Sequence, residues 1–253
     1  MSVLLVAFFS LGTIVASFVG VIVARLSTGQ SFLSGRSRCD ICNAPLGLSA
    51  LVPIFSYFAG GGRSRCCGAF ISLASPLTEL LLGGLFALSY IQLGLSSALF
   101  WMLLSLSLLL ALVLYDIAHQ ILPPSLLVFF VITSAVTGFL LASSFFAFSG
   151  VLFTAFLIAL SLAFIHFISG GRAMGLADAP FVFGLALLVG PAALPGFVFS
   201  FWIGAVVGIL ILARRPRGTR MGVEVPFAPF LAAGFILAYF TQWNPFLFAA
   251  AFH

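Results

Sequence analysis

Polar residues in this chain are gathered into a few short stretches, and long apolar runs separate them. Eight such runs stand out: Val3 to Val23, Leu73 to Gln92, Ser97 to Tyr115, Pro124 to Ala142, Phe145 to Phe167, Phe181 to Pro195, Gly196 to Ala213 and Pro226 to Phe248. About 20 helical residues cross the hydrocarbon core of a bilayer, and most of these runs have that length. Each is predicted to be helical, because in lipid every backbone N–H and C=O must be paired within its own segment. The sixth run is short and meets the seventh at Pro191, Pro195 and Gly196, so that pair reads either as two spans or as one bent, re-entrant hairpin. The first run carries no positive charge before Arg25 and reads as a retained anchor, not a cleaved signal peptide.

Composition turns this pattern into a class. Only 6% of the 253 residues are charged and 63% are apolar. Soluble domains carry about 25% charged residues, so a chain this poor in them cannot cover its surface for water. The expected fold is an all-α polytopic membrane protein, a bundle of about eight helices. The ten basic residues are all arginine, and with eight spans they all fall on one side: Arg25, Arg36, Arg38, Arg63 and Arg65 between spans one and two, Arg172 between five and six, and Arg214, Arg215, Arg217 and Arg220 between seven and eight. The positive-inside rule then puts those loops in the cytoplasm and both termini outside. The net charge of +5 is accounted for by orientation and by contact with anionic lipid heads. The arginines are not interleaved with aromatic or Gly-rich motifs, so nucleic acid is not an expected partner.

Three regions follow: a first transmembrane helix over 1–25, a polar cysteine-containing cytoplasmic insertion over 26–72, and a seven-helix core over 73–253. No internal repeat is visible, which gives an inverted-repeat transporter no support. The insertion holds all four cysteines, Cys39 and Cys42 as a C-x-x-C, then Cys66 and Cys67 beginning 24 residues after Cys42. Two thiolate pairs flanking a loop are the arrangement of a zinc ribbon, and a cytoplasmic location argues against disulfides. Adjacent cysteines make an awkward second pair because neighbouring side chains diverge. The expectation is a structural metal, zinc by ligand type, held by Cys39, Cys42 and Cys67, with Cys66 or another group as the fourth ligand. The competing reading is a small core containing four apolar cysteines.

Among the five acids, Asp116 and Asp178 are the candidates for chemistry. Asp116 ends an apolar run just before His119, Gln120 and Pro123-Pro124. Asp178 ends Gly-Leu-Ala-Asp just before Pro180. Both fall at the cytoplasmic end of the bundle, where an ionisable group beside lipid is costly and is usually functional. Two carboxyls brought together in a low-dielectric site share a proton. One can then take a proton from an attacking water while the other donates to the peptide carbonyl. Structural readings also exist: Asp178 as a helix N-cap and Asp116 as an interfacial anchor. Glu79, early in span two, is either a third functional acid or a partner for an arginine.

With these residues in view, the chain resembles the prepilin peptidase (type IV leader peptidase) family of GxGD-type aspartic membrane proteases. Ser17-Phe18 with Arg25, Arg36 to Cys42, Val52-Pro53-Ile54-Phe55-Ser56-Tyr57, Cys67 to Ser72 and Pro76 to Glu79 are similar to its first span, cysteine domain and second span. Tyr115-Asp116 with Ile121-Leu122-Pro123 resembles its first catalytic motif, Gly175-Leu176-Ala177-Asp178 its second, and Val225 to Leu231 its late P-F-G-P-F-L segment. The resemblance implies an endopeptidase of the bacterial inner membrane, with Asp116 and Asp178 catalytic and Gly175 and Ala177 supporting them. Its implied substrates are prepilin or pseudopilin precursors of type IV pilus or type II secretion systems, cut after a short basic leader. Methylation of the new N-terminus by S-adenosylmethionine is a further activity of many members. Several positions depart from the pattern. Ala177 replaces the second Gly of G-x-G-D, Pro124 and Pro180 replace the Asp and Lys after the two catalytic motifs, and Gly20 replaces an Asn. Ser64 stands at the third cysteine position, with Cys66 displaced from it. Two other classes suit a membrane bundle with two acids: a transporter, which would place ionisable groups near the midplane, and an inactive scaffold of a pilus or secretion machine.

Overall fold

The computed structural model describes residues 2–26, 42, 44, 54–172, 174–214 and 226–245. Its elements, in chain order, are α1 (Ser2–Leu26), α2 (Phe55–Ala59), α3 (Ala74–Leu93), α4 (Ser97–His119), α5 (Pro124–Leu141), α6 (Phe145–Ser169), α7 (Asp178–Val189), a 3₁₀ turn (Gly190–Ala192), α8 (Ala193–Arg214) and α9 (Ala228–Thr241). No strand occurs among the described residues; one antiparallel bridge joins Arg63 and Phe70. The protein is all-α, and every apolar run of the sequence contains a helix. It is a multi-pass membrane protein.

Among the described residues six stretches are long and apolar enough to cross a membrane, beside the shorter apolar helix Ala228–Thr241; the last of the six is Asp178–Arg214. That stretch is broken where Gly190 adopts φ +60 and Pro191 enters the 3₁₀ turn. The break leaves α7 with 12 residues, about 18 Å at 1.5 Å per residue, too short to cover the hydrocarbon core alone. α9 has 14 residues, about 21 Å by the same rise. The sequence run after Phe227 was longer, but residues 246–253 lie outside the described ones.

The chain divides into two compact units, Met1–Leu99 and Phe100–His253, with the boundary in the first turn of α4. In the first unit α1 packs against α3. Phe8 stacks on Tyr90 at 4.8 Å, and a Cβ at Gly12 would lie 2.8 Å from the Gly83 Cα. These two pairings make the helices antiparallel. They also put backbone against backbone, which is how helices associate in lipid where burial from water cannot drive them together.

In the second unit, α7 is the inner helix. It packs against α5, α6 and α9, and nine of its twelve residues are buried. α6 is the opposite case: only Ala155, Ile158 and Leu162 are buried, while Phe146, Phe153 and Phe164 project outward. Both are apolar all round, one because protein surrounds it and the other because lipid does. Small residues set the closest approaches. A Cβ at Gly184 of α7 would meet the Phe130 ring at 2.8 Å, and one at Gly196 of α8 would meet the Phe235 Cα of α9 at 2.8 Å. The Ser200 hydroxyl crosses from α8 to donate to the Leu231 carbonyl at 3.1 Å. α7 is thus held against α5 and α9 against α8, and the starts of α7 and α9 carry Asp178 and Ala228.

Candidate active site and cysteine cluster

Asp116 lies in the last turn of α4 and is 7% exposed. The backbone stops just after it: Gln120 takes the left-handed conformation, φ +55, and its N–H returns to the Asp116 carbonyl at 2.7 Å. This is the left-handed helix end usually made by Gly, and it fixes the direction in which the Asp116 side chain leaves α4. The carboxylate is held from far along the chain. Its Oδ2 accepts the Ala228 N–H at 3.2 Å, in a buried contact. Ala228 is the first residue of α9, whose cap residue Phe227 makes no side-chain hydrogen bond to the helix. An apolar helix start flanked by Pro226 and Pro229 leaves amide donors without a local acceptor. Asp116 supplies one, where the helix dipole favours a negative group.

Asp178 is the first residue of α7, with Ala177 in the cap position at φ −67 and ψ −18. The N-cap reading of Asp178 therefore shifts by one residue. Its side chain turns back instead: Oδ2 accepts the Gly175 N–H at 3.1 Å, while the Asp178 N–H donates to the Gly175 carbonyl at 3.2 Å. These two bonds close a small ring over Gly-Leu-Ala-Asp. A methyl at Gly175 would sit 3.5 Å from the carboxylate oxygen, an ordinary van der Waals contact, so space alone does not demand glycine there. Ala177 fits because its φ is negative and its carbonyl receives the Phe181 N–H at 3.2 Å; the position has no need of glycine's freedom.

The two carboxyls are near enough for the Asp116 charge to act on Asp178. The end of α4, the start of α7 and the start of α9 thus meet around two acids. Among the described residues each acid accepts a backbone amide through Oδ2. A water held between two such carboxyls can lose a proton to the ionised one and attack a carbonyl that the protonated one polarises. The Ala228 amide was not identifiable as a site element from the sequence, although the segment carrying it was. The one available signal was a helix start with no polar cap of its own.

The first unit contains the other predicted groups. Glu79 is 5% exposed, and its Oε2 accepts the Ile54 N–H at 2.7 Å. Ile54 has φ +59, uncommon for a β-branched residue, and its carbonyl receives the N–H groups of Tyr57 and Phe58, both at 3.2 Å. Glu79 therefore ties the start of α2 to α3.

Cys42, Cys66 and Cys67 bring their sulfurs within 4.8 Å of one another, with Cys42 and Cys66 at 3.3 Å. A tetrahedral zinc site with bonds of about 2.3 Å has sulfurs about 3.8 Å apart, so these thiols can take three corners of a metal site. Cys39 lies outside the described residues. The divergence expected of adjacent cysteines does not keep Cys66 and Cys67 apart. The Gly68 N–H bonds back to the Ser64 carbonyl at 2.8 Å, with Gly68 at φ +69, and the resulting turn aims both sulfurs at Cys42. The Ser64 hydroxyl lies 2.9 Å from the Cys66 sulfur.

Comparison with known proteins yields a consistent set. The profile of the Bacterial Peptidase A24 N-terminal domain matches residues 10–93. The chain is similar to the prepilin leader peptidase/N-methyltransferase of Bacillus subtilis, 31% identical over 242 residues covering 91% of this chain and 92% of that protein. It is 30% identical to the Pseudomonas aeruginosa protein of the same name over 89% of this chain and 87% of that one. The Myxococcus xanthus protein of that name is 35% identical over 83% of this chain and 63% of its own length. No solved structure matches.

Proposed function

Since the chain belongs to the prepilin leader peptidase family, we propose that Asp116 and Asp178 are its catalytic pair and hydrolyse the leader peptide bond of a prepilin or pseudopilin precursor. The observation carrying this is that two acids 62 positions apart in sequence, among five in the whole chain, lie near enough for the charge of Asp116 to act on Asp178, and that each carboxylate accepts a backbone amide. One aspartate takes a proton from water, whose oxygen attacks the scissile carbonyl carbon. The other gives its proton to the carbonyl oxygen. When the tetrahedral intermediate collapses, the C–N bond breaks and a proton passes to the leaving amine. Water is consumed, and the pair returns to its starting state with one shared proton.

The arginines motivate a cytoplasmic cut, because the positive-inside rule assigns that side to the ends of the helices that bear both aspartates. A zinc ion at Cys42, Cys66 and Cys67, with Cys39 as the fourth ligand, would brace the first unit; its chemistry there is structural. Methyl transfer from S-adenosylmethionine is part of the relatives' name. The proposal for this chain stays with the cut, which the aspartate geometry supports.

Purified protein in detergent, given a peptide with a basic leader followed by an apolar helix, is expected to cleave it once. Asp116→Asn and Asp178→Asn should each lose cleavage by roughly 10³-fold or more, as expected for members of a catalytic unit, while keeping their thermal stability. Normal cleavage by either variant would overturn the assignment.

A further inference from the structure

His166 is one of three histidines, and nothing in the proposed hydrolysis uses it directly. It lies in the last turn of α6, half-buried. Its Nδ1 is 2.8 Å from the Met174 carbonyl oxygen. A carbonyl oxygen only accepts, so Nδ1 must carry the proton. The same peptide group has its other end on the site: the N–H of Gly175 donates to Asp178 Oδ2. One peptide plane, that of Met174–Gly175, is therefore held at its oxygen by His166 and at its nitrogen by Asp178.

The ring is not free to turn away. The His166 carbonyl accepts the N–H of Gly170 and that of Gly171 at 2.9 Å, which fixes the end of α6. Gly171 has φ +77, and a Cβ there would sit 3.2 Å from the His166 Cε1. A side chain at position 171 would press on the imidazole, which would have to give by a few tenths of an ångström. The Phe167 ring meets the imidazole edge-on with centroids 5.5 Å apart.

We propose that His166 is a positioning residue for Asp178, acting through the Met174–Gly175 peptide. Two effects follow from the geometry. Pinning the carbonyl sets the rotation of the peptide plane, so the Gly175 N–H points at Oδ2 and not past it. A hydrogen bond accepted at the oxygen also polarises the group, which makes its N–H a better donor in a site of low dielectric. His166 touches neither water nor substrate in this account. It holds the donor that holds the acid. The proposal rests on Asp178 being catalytic.

The test measures steady-state cleavage of the leader-plus-helix peptide by the purified full-length chain and by His166→Phe, His166→Asn and His166→Gln, with Asp178→Asn alongside. Phe keeps a ring and loses the donor. Asn presents a δ-nitrogen donor at the place of Nδ1, and Gln carries the same amide one methylene too far. The expected result is a drop in kcat of about tenfold for Phe and Gln, as for one lost hydrogen bond to a charged group, with KM changed by less than about twofold. Asn should recover kcat to within about threefold, since it restores that hydrogen bond. A purely structural tie would show no such split between Asn and Gln. If His166→Phe does not fold, the Asn and Gln pair decides the matter, and equal rates for those two overturn the proposal. Wild-type rates for His166→Phe beside an inactive Asp178→Asn also overturn it, leaving the catalytic pair intact. A fully active Asp178→Asn would instead remove the reading on which it rests.

Discussion

The aspartate site and the cysteine cluster solve different problems, and they tolerate sequence drift differently. At the aspartates, each carboxylate is directed by a backbone N–H, whose position depends on where a helix begins or a turn closes. Ala177, Pro124 and Pro180 depart from the pattern that the family resemblance implies, while both acids stand where that pattern places them. At the cysteines, Ser64 stands where the family resemblance expects a cysteine, and Cys42, Cys66 and Cys67 nonetheless bring their sulfurs within 4.8 Å of one another. A metal asks only for donor atoms at the right distance, and a tight turn at Gly68 can supply them from a new position. Acid–base chemistry asks for a particular oxygen in a particular direction, so the device that aims it stays in the backbone.

The comparison predicts its largest effect where a backbone donor is removed. Replacing the Ala228 amide by an ester keeps the side chain and deletes only the N–H on Asp116. A hydrogen bond to a charged group contributes about 1.5–3 kcal/mol, so kcat should fall about 10- to 100-fold. An unchanged kcat would show that α9 merely lies near Asp116. Next in size is the cysteine swap. Cys66→Ser should weaken metal binding by about tenfold, since a hydroxyl is a poorer ligand than a thiolate. The double change Ser64→Cys with Cys66→Ser should recover it, as measured by metal content per chain. A swap that binds no metal would mean that the sulfur positions are less interchangeable than the turn suggests. Smallest is Ala177→Gly. The position has negative φ and spends no conformational freedom, so cleavage should change by less than about twofold and stability fall by under about 1 kcal/mol.

Much of this was readable in advance, and the limits have physical causes. Helices were legible because a chain with so few charges has only lipid as solvent, and each apolar run had to pair its own backbone. The two acids were legible because a carboxyl is conspicuous in such surroundings. Where α7 ends was harder: Gly190-Pro191 sits inside an unbroken apolar run, and the inner helix looks like a lipid-facing one in sequence. Asp116 and Ala228 are 112 residues apart, and an alanine amide leaves no trace in the residue type that carries it. The same holds for the peptide between Met174 and Gly175. Glu79 was conspicuous for the same reason as the aspartates, yet its partner is the amide of Ile54. A buried acid signals a constraint, and at Glu79 the structure shows that constraint to include a hydrogen bond from a loop amide.

The central claim is that Asp116 and Asp178 work as one acid–base unit, and a double-mutant cycle on peptide cleavage tests it most directly. The rates of Asp116→Asn, Asp178→Asn and the double variant would be compared at saturating peptide, with folding checked by thermal stability. Residues that act as a unit are strongly non-additive, so the double variant should be no more than about threefold slower than the slower single variant. If the two losses instead multiply, the aspartates contribute independently and the paired mechanism is wrong.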